Sequence, residues 1–264
     1  MLTVTLIRHG ESTHNALALW SGCTECPLTE REQQARVIYA SPLPRARDTA
    51  QAVLDAQPTP KPPHDFTIAQ IREQSFGAAE GHQACIREPG KTLEAHFAGD
   101  KYPILYESEK HVAFPGGESV EDLTRRAERA VREVVLPHVV NVARSGRDEH
   151  IALVSHGLCI LQVVSAIVRL GGGTWKRKLE GPIVNTAWVR VEVRIQGGMC
   201  VEVADDEVPP VEVTVMEEDR ADHLEGLLDR GPLLGIKAIM GGGVLVVDAK
   251  SPDEAEAIAQ TSAV

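Results

Sequence analysis

The chain opens on a short apolar run that ends in a cation, an imidazole and a glycine: Leu2-Thr3-Val4-Thr5-Leu6-Ile7-Arg8-His9-Gly10. The stretch Leu2–Ile7 predicts a buried strand because it is short and almost continuously apolar. In an open α/β sheet, ligands bind beyond the carboxyl ends of the strands. Arg8 and His9 therefore predict a site at this end that binds an anion and attacks it.

The composition narrows the choice of partners. The chain has 264 residues, 43% of them apolar, and a formal net charge of −11 with no Lys/Arg block, which argues against nucleic acid or an anionic membrane as the main partner. A small anionic substrate remains compatible with this composition, since a local group of arginines can attract an anion even when the net charge of the chain is negative. No stretch approaches the roughly 20 apolar residues of a membrane helix, and no secretory pattern is present, so we expect a cytoplasmic protein. Oligomeric state is left open.

Strands alternate with helices along the chain, which predicts a mostly parallel sheet covered by helices on both faces. After the first strand we expect a strand at Val37–Ala40, a helix from Pro44 to about Gln57, a strand at Phe66–Ile71, a helix from Ser119 that Pro137 kinks or ends, a strand at His150–Ser155, a helix at Leu158–Leu170 and a strand at Ala187–Ile195. The pattern weakens after residue 203, where we expect a strand at Val211–Val215 and a helix at Ser251–Ser262.

A second histidine, His156, has the same setting as His9, because each follows an apolar strand and precedes a glycine. Two parallel strands that end together would bring both imidazoles to one edge of the sheet. A neutral imidazole is a good nucleophile near pH 7, since its unperturbed pKa is about 6.5. Attack on a phosphoryl group would give a phosphohistidine that water can hydrolyse.

Phosphoryl transfer also requires cations and a proton donor. Arg8 adjoins the nucleophile, and Arg45 lies at a helix start, where backbone N–H groups favour an anion. Two guanidinium groups hold phosphate better than lysines would. Glu73 follows the predicted Phe66–Ile71 strand and is the candidate general acid for the leaving alkoxide.

Several segments together resemble the histidine phosphatase superfamily, the phosphoglycerate mutase-like proteins. They occur in the family's order over about residues 2–195: Leu6-Ile7-Arg8-His9-Gly10-Glu11-Ser12-Thr13-His14-Asn15, Pro27-Leu28-Thr29, Ser41-Pro42-Leu43-Pro44-Arg45-Ala46-Arg47-Asp48-Thr49-Ala50, Arg72-Glu73-Gln74-Ser75-Phe76-Gly77-Ala78-Ala79-Glu80-Gly81, Gly116-Gly117-Glu118-Ser119 and Val154-Ser155-His156-Gly157. Each segment alone is weak, and the set is specific.

The resemblance implies a role for each matching residue. His9 is implied as the phosphorylated nucleophile and Glu73 as the proton donor. Arg8, Arg45 and His156 are implied to bind the phosphoryl group. Further phosphate contacts are implied for Asn15, Ser21, Gly22 and Gly157. The family uses neither a metal nor another cofactor for this chemistry, so we expect none here.

The implied architecture is a three-layer α/β/α sandwich with a mostly parallel central sheet and an insertion that forms a lid over the site. We expect the phosphatase domain at residues 1–203, the lid at about 82–115, and a C-terminal extension, ordered in part at best, at 204–264. One departure concerns the scaffold. Only Glu30–Arg36 separates Thr29 from the second strand, whereas a parallel crossover with its helix commonly takes a dozen or more residues. One covering helix is therefore shortened, and we expect reduced stability.

Three functions remain open. Hydrolysis of a small phosphomonoester is favoured, because Phe76-Gly77-x-x-Glu80-Gly81 resembles the phosphatase branches and residues 82–115 lack the basic, aromatic segment of glycolytic mutases. The second is a mutase that returns the phosphoryl group to another oxygen of a sugar acid. The third is a catalytically silent homologue that binds partners on a damaged scaffold. Cys23-x-x-Cys26 is discounted as a metal or redox site, because no second pair stands at zinc spacing.

Overall fold

A computed structural model describes residues 1–12, 36–178, 181–197 and 208–224. The strands are β1 (Leu2–Arg8), β2 (Val37–Ala40), β3 (His64–Asp65), β4 (Ala84–Cys85), β5 (Tyr102–Pro103), β6 (Glu149–Ser155), β7 (Trp188–Ile195) and β8 (Val211–Arg220). The α-helices are α1 (Pro44–Ala56), α2 (Leu93–Phe97), α3 (Val120–Ala130), α4 (Leu136–Ser145) and α5 (Gly157–Leu170).

Six strands form the central sheet in the order β3-β2-β6-β1-β7-β8. The pairs β3–β2, β2–β6 and β6–β1 are parallel, whereas β7 and β8 are added antiparallel at the other side of β1. Apolar residues of both faces are buried under helices: Leu6 and Leu153 pack in a cluster with α3 and α5, and Ile7 and Val154 pack with α1. The predicted α/β/α sandwich is thus confirmed.

The register between β1 and β6 places the site. The two strands are parallel neighbours, and Arg8 pairs with Ser155 at their carboxyl ends. His9 and His156 are the next residues, so both leave the sheet at the same edge, as the sequence predicted. The backbone N–H of His9 donates to the carbonyl of Ser155 at 3.0 Å, which ties the two strand ends together.

The strand expected at Phe66–Ile71 is wrong. The strand β3 ends at Asp65, just before this range, and residues Ala69–Ile71 form a 3₁₀ turn. The carboxylate of Asp65 accepts hydrogen bonds from the backbone N–H of Thr67 at 2.8 Å and from its hydroxyl at 2.6 Å. Such a side-chain turn replaces the ladder that would extend a strand. Residues beyond Asp65 therefore leave the sheet, and Glu73 follows a turn rather than a strand.

The long helix begins as predicted and continues further than predicted. Ser119 and Asp122 form a capping box, in which each side chain accepts from the other residue's backbone N–H. A π-helical turn at Val131–Val135 joins α3 to α4, and Pro137 lies in the first turn of α4. Within this π-helical turn the backbone N–H of Leu136 donates to the carbonyl of Val131, five residues earlier, and such a turn inside a helix shifts the hydrogen-bond register. The helical backbone thus continues through Pro137, so the expectation that this proline ends the helix is wrong, and the alternative of a kink stays a prediction.

The predicted insertion at residues 82–115 contains the short helix α2 and the two-stranded ribbon of β4 and β5. Tyr102, Leu105 and Phe114 are buried within the same cluster as the core of the sheet. The insertion therefore packs on the body of the protein. Its action as a lid stays a prediction.

The strand expected at Val211–Val215 is confirmed and is longer, since β8 runs to Arg220 and pairs with β7. The sheet thus continues beyond residue 203, the predicted end of the phosphatase domain. The shortened connection before Val37 and the helix expected at 251–262 lie outside the described residues. Within the described ranges, no helix combines the length and the apolarity needed to cross a membrane.

Candidate active site

Two buried imidazoles form the centre of the site. His9 is 3% exposed and His156 is fully buried. Their ring centroids lie 5.0 Å apart. Burial and the neighbouring Arg45 hold the pKa of both histidines well below the ordinary value of 6.5, and Arg8 contributes in the same direction. Both rings are therefore neutral at pH 7.

The hydrogen bonds of His9 define which ring nitrogen carries the proton. Nδ1 lies 2.7 Å from the carbonyl oxygen of Gly10. A carbonyl oxygen only accepts hydrogen bonds, so Nδ1 donates and the neutral ring keeps its lone pair on Nε2. Nε of Arg45 donates to that lone pair at 3.1 Å. His9 thus presents an unprotonated Nε2 beside a guanidinium group, which is the form that a nucleophile requires.

The two predicted arginines are both buried beside the imidazoles. Arg8 and Arg45 are each 1% exposed. Arg8 donates from its guanidinium to the carbonyl of Ile183. Burial lowers the pKa of Arg8 to about 10, with Glu73 opposing this and Arg45 adding to it, so Arg8 stays charged at neutral pH. Two buried cations that repel one another make a strong site for a dianion.

Glu73 is bound at the N-terminus of α5. Its Oε1 accepts from the backbone N–H of Gln74 at 3.0 Å and of Cys159 at 3.2 Å, and its Oε2 accepts from the N–H of Leu158 at 3.3 Å. Burial raises the pKa of Glu73, while these backbone bonds and the two arginines partly offset the rise. A carboxyl group with a raised pKa can carry the proton that a leaving alkoxide needs.

His156 is oriented by a serine that the sequence did not assign. Its Nε2 lies 2.9 Å from Oγ of Ser41, which directly follows β2. Its Nδ1 is buried and has no hydrogen-bond partner among the residues that the structure describes. Gly157, the next predicted contact, is the first residue of α5. The second ring thus keeps one nitrogen for a ligand.

Asn185 is a residue of the candidate site that the sequence reasoning missed. Its amide nitrogen donates to the carbonyl oxygens of His9 at 2.9 Å and Gly10 at 2.8 Å. The backbone N–H of Thr186 donates to the Arg8 carbonyl at 3.1 Å, and that of Arg8 donates to Ala187 at 2.9 Å. The loop before β7 therefore holds the main chain at Arg8, His9 and Gly10. The sequence did contain a signal that could have identified Asn185, namely a polar Asn-Thr pair directly before a predicted strand.

The structure brings together five of the predicted residues, which are Arg8, His9, Arg45, Glu73 and His156, along with Gly157. The other three predicted phosphate contacts, Asn15, Ser21 and Gly22, lie outside the described residues. Among the described residues, no group of three or more His, Cys, Asp or Glu side chains is placed to hold a metal ion.

Curated proteins with similar sequences include phosphatases and mutases. A metal-independent phosphoserine phosphatase of Arabidopsis thaliana is 25% identical over 172 residues, which cover 58% of this chain and 63% of that enzyme, less than two thirds of its length. A glucosyl-3-phosphoglycerate phosphatase of Mycolicibacterium vanbaalenii is 26% identical over 71% of this chain and 83% of its own. A probable phosphoglycerate mutase of Salmonella paratyphi B is 28% identical over 78% of this chain and 94% of its own.

Solved structures share the fold. A structure described as mycobacterial hydrolase 1 aligns with a TM-score of 0.57 at 19% identity, covering 81% of this chain and 97% of its own. The native mycobacterial glucosyl-3-phosphoglycerate phosphatase aligns with a TM-score of 0.54 at 20% identity over the same shares. The sequence profile of the histidine phosphatase superfamily (branch 1) matches residues 4–206. With the paired imidazoles and the two arginines at the sheet edge, this match shows that the chain belongs to the histidine phosphatase superfamily.

Proposed function

We propose that this protein is a phosphatase that hydrolyses a small phosphomonoester through a phosphohistidine on His9, without a metal. The observation that carries the proposal is the state of His9: its Nδ1 is held protonated by the Gly10 carbonyl, and its Nε2 lone pair meets the guanidinium of Arg45 at 3.1 Å. Phosphatase-named relatives support hydrolysis as the reaction class.

Binding comes first in the proposed reaction. The phosphoryl oxygens are held by the buried guanidinium groups of Arg8 and Arg45 and by Nδ1 of His156, the ring nitrogen without a partner among the described residues. The two guanidinium groups carry fixed charge in a water-poor site, so they stabilise the negative charge of the transferring group strongly, and the neutral His156 ring adds a hydrogen bond. The Arg45 bond to Nε2 is given up as its guanidinium turns to phosphate. Asn15, Ser21 and Gly22 stay predicted contacts.

The first chemical step transfers the phosphoryl group to the enzyme. Nε2 of His9 attacks phosphorus, the ester P–O bond breaks, and the protonated carboxyl of Glu73 gives its proton to the leaving oxygen. The phosphorylated imidazole carries a positive charge, which the Gly10 carbonyl stabilises through the bond from Nδ1. Glu73 is left as a carboxylate, bound by backbone N–H groups at the N-terminus of α5.

The second step returns the enzyme to its starting state. The Glu73 carboxylate takes a proton from water as the water oxygen attacks phosphorus, and the P–N bond to His9 breaks. Inorganic phosphate leaves, His9 is again neutral, and Glu73 again carries a proton. The same residue thus acts as acid and then as base.

Phosphoryl transfer between two oxygens of one substrate, as in a mutase, is the second candidate. Several relatives with 28% identity are named probable phosphoglycerate mutases. The two reactions share the phosphohistidine and differ only in the acceptor. The predicted lid at residues 82–115 would determine the substrate class.

One experiment separates the candidates. The purified protein and its His9→Ala variant are incubated with p-nitrophenyl phosphate, 3-phosphoglycerate, phosphoserine and glucosyl-3-phosphoglycerate, and His64→Ala serves as a control at an exposed histidine. Phosphate release that disappears only in His9→Ala supports hydrolysis. Isomerisation without release supports the mutase. Absence of turnover on every ester, with no acid-labile phosphoenzyme, would refute both and support a silent homologue.

A further inference from the structure

Arg126 lies in α3, outside the catalytic group of residues, and directs three of its five N–H donors to the segment that carries Glu73 and the other two to Glu118. Its Nε and one terminal nitrogen donate to the carboxylate of Glu118 at 2.9 and 2.7 Å. The remaining three bonds go to main-chain carbonyls, those of Gln70 at 2.9 Å, Arg72 at 2.8 Å and Glu73 at 3.0 Å. A guanidinium group has five donors, so this side chain is fully satisfied.

Glu118 holds the other flank of the same segment. Its carboxylate accepts from the backbone N–H of Ser75 at 3.0 Å, and its own N–H donates to the Ser75 carbonyl at 2.7 Å. Its carbonyl accepts from the side-chain amide of Gln74 at 2.7 Å. Arg126 and Glu118 thus fix the main chain on both sides of Glu73.

Two glycines allow the segments to come this close. A Cβ on Gly77 would lie 2.3 Å from the carbonyl oxygen of Pro115, and one on Gly117 would lie 2.7 Å from that of Ser75. Either side chain would push the two backbones apart. Residues 75–77 and 115–118 therefore touch backbone to backbone, and a residue larger than glycine at position 77 or 117 would prevent this contact.

We propose that Arg126 and Glu118 are positioning residues for the general acid Glu73. The proposal rests on the phosphatase function proposed above. No long strand holds residues 66–76, because β3 ends at Asp65 and only a 3₁₀ turn follows. The guanidinium bonds, together with a bond from Oγ of Ser155 to the Ile71 carbonyl, take the place of a β-ladder. A misplacement of about 1 Å at a reacting group costs on the order of 10²-fold in rate.

The leaving group distinguishes positioning of the acid from a general contribution to stability. An alkoxide leaves only with a proton, so hydrolysis of an alkyl phosphate depends on where Glu73 lies. p-Nitrophenolate is a stable anion and leaves without full protonation. Loss of the positioning residue therefore lowers kcat/KM on alkyl esters selectively, because kcat/KM reports the first phosphoryl transfer and not the later hydrolysis step in which Glu73 acts as base. Partial unfolding lowers kcat/KM on both esters equally.

The test compares Arg126→Lys with Arg125→Lys, its neighbour on the exposed face of α3, whose side chain is 65% exposed. Lysine keeps the charge and cannot form the five bonds of the fork. For the alkyl phosphate that the wild type hydrolyses best, we expect kcat/KM to fall on the order of 10²-fold in Arg126→Lys, the lower range of general-acid contributions. For p-nitrophenyl phosphate we expect a fall below about fivefold on the same grounds. Arg125→Lys should match the wild type on both.

A second variant, Glu118→Gln, keeps the size of the side chain and removes the charge that faces Arg126. It should show the same selective loss of kcat/KM on the alkyl phosphate. If Arg126→Lys does not fold, this variant tests the positioning role instead. Equal losses on both esters, or no loss on either, would overturn the positioning role while wild-type turnover keeps the phosphatase proposal intact. A wild type without turnover of any ester would instead refute the proposed function itself.

Discussion

Nε of Arg45 donates to Nε2 of His9 at 3.1 Å, so one of the two guanidinium groups of the site is hydrogen-bonded to the lone pair that is proposed to attack phosphorus. This contact holds the imidazole ring in place. Burial, and after it the charge of Arg45, lower the pKa of His9 and so keep the ring unprotonated. The same guanidinium is then available for the phosphoryl group. In the proposed reaction, one arginine thus orients the nucleophile and binds the phosphoryl group that it attacks.

Arg45→Lys tests this double role. Lysine keeps one charge and loses the planar fork that can bond the imidazole and a phosphoryl oxygen. We expect kcat/KM to fall on the order of 10² to 10³-fold, the effect of removing one donor to the transition-state charge. Steady-state kinetics of phosphate release measures the change in kcat/KM. The control is Arg47→Lys, because the Arg47 side chain lies on the same helix and is 54% exposed. Equal rates in the two variants would show that Arg45 does not touch the reacting group.

In the proposed reaction, the acid limb of the pH dependence of kcat/KM should lie at a lower pH, and its basic limb at a higher pH, than an ordinary histidine and an ordinary carboxyl would give. The reaction requires His9 unprotonated and Glu73 protonated. Because the pKa of His9 is well below 6.5, its acid limb lies well below pH 6.5. Because the pKa of Glu73 is raised, the protonated form persists to a higher pH than for an ordinary carboxyl, and its loss gives the basic limb.

Rates on an alkyl phosphate from pH 4 to 9 provide the measurement, and Glu73→Gln should lose the basic limb. The second ionisation of the substrate phosphate affects the wild type and Glu73→Gln alike, so the difference between their pH profiles reports the ionisation of Glu73. A wild-type acid limb at or above pH 6.5 that persists in the variant would contradict the assignment of His9 as an unprotonated nucleophile.

Asn185→Ala should slow the reaction without unfolding the protein. The variant removes two hydrogen bonds to the carbonyls of His9 and Gly10, and the Gly10 carbonyl is the acceptor for Nδ1 of His9. We expect kcat to fall about 10-fold or more, since misplacing a nucleophile slightly is costly. Asn141→Ala, at an exposed asparagine of α4, is the matched control. Unchanged formation of the phosphoenzyme in Asn185→Ala would exclude this positioning role.

The free energy of unfolding should fall as the pH drops below 7. His9 and His156 have folded-state pKa values well below 6.5, whereas in the unfolded chain they titrate near 6.5. Between these values the unfolded state binds more protons, so acid stabilises it. Each histidine then removes stability as the pH falls from 7.5 to 5.5, by at most about 1.4 kcal/mol.

Glu73, with its raised pKa, has the opposite sign above about pH 4.5, since the folded state there binds the extra proton. Urea unfolding at pH 7.5, 6.5 and 5.5 of the wild type and of His156→Gln separates the two effects, because Glu73 is present in both. The variant should lose the contribution of His156, so its free energy of unfolding should fall less than that of the wild type over that range, by at most about 1.4 kcal/mol. Parallel pH curves for the two proteins would show that His156 is not buried in its neutral form.

Gly77→Ala should destabilise the protein more than Gly90→Ala. Both glycines have positive φ, at +53° and +74°, so alanine carries a similar backbone penalty of about 1 kcal/mol at each position. Only at Gly77 would the new Cβ also meet the backbone of Pro115, Gly116 and Gly117 within 2.6 Å. We expect a loss above about 3 kcal/mol there, measured by urea unfolding. Similar losses in the two variants would mean that the backbones can separate at little cost.

Most of the residues that form the site can be recognised from local sequence patterns. The apolar strands ending at Arg8 and Ser155, the helix that starts at Pro44 and the capping box at Ser119 are such patterns, and the structure confirms each element. The errors fall where local patterns compete with side-chain turns, as at Asp65, and where a π-helical turn lets a helix continue through a proline, as at Pro137.

By itself, the sequence determined the strand ends, the helices after them and the residue types that meet there, because hydrophobic periodicity and motif spacing are properties of neighbouring positions. Tertiary structure alone decided how those residues are held: Asn185 reaches His9 across 176 positions, and Arg126 reaches the Gln70 carbonyl across 56. It also decided that Nε2 is the unprotonated nitrogen of His9. Such contacts depend on sheet register and helix packing, which set distances that no local pattern encodes.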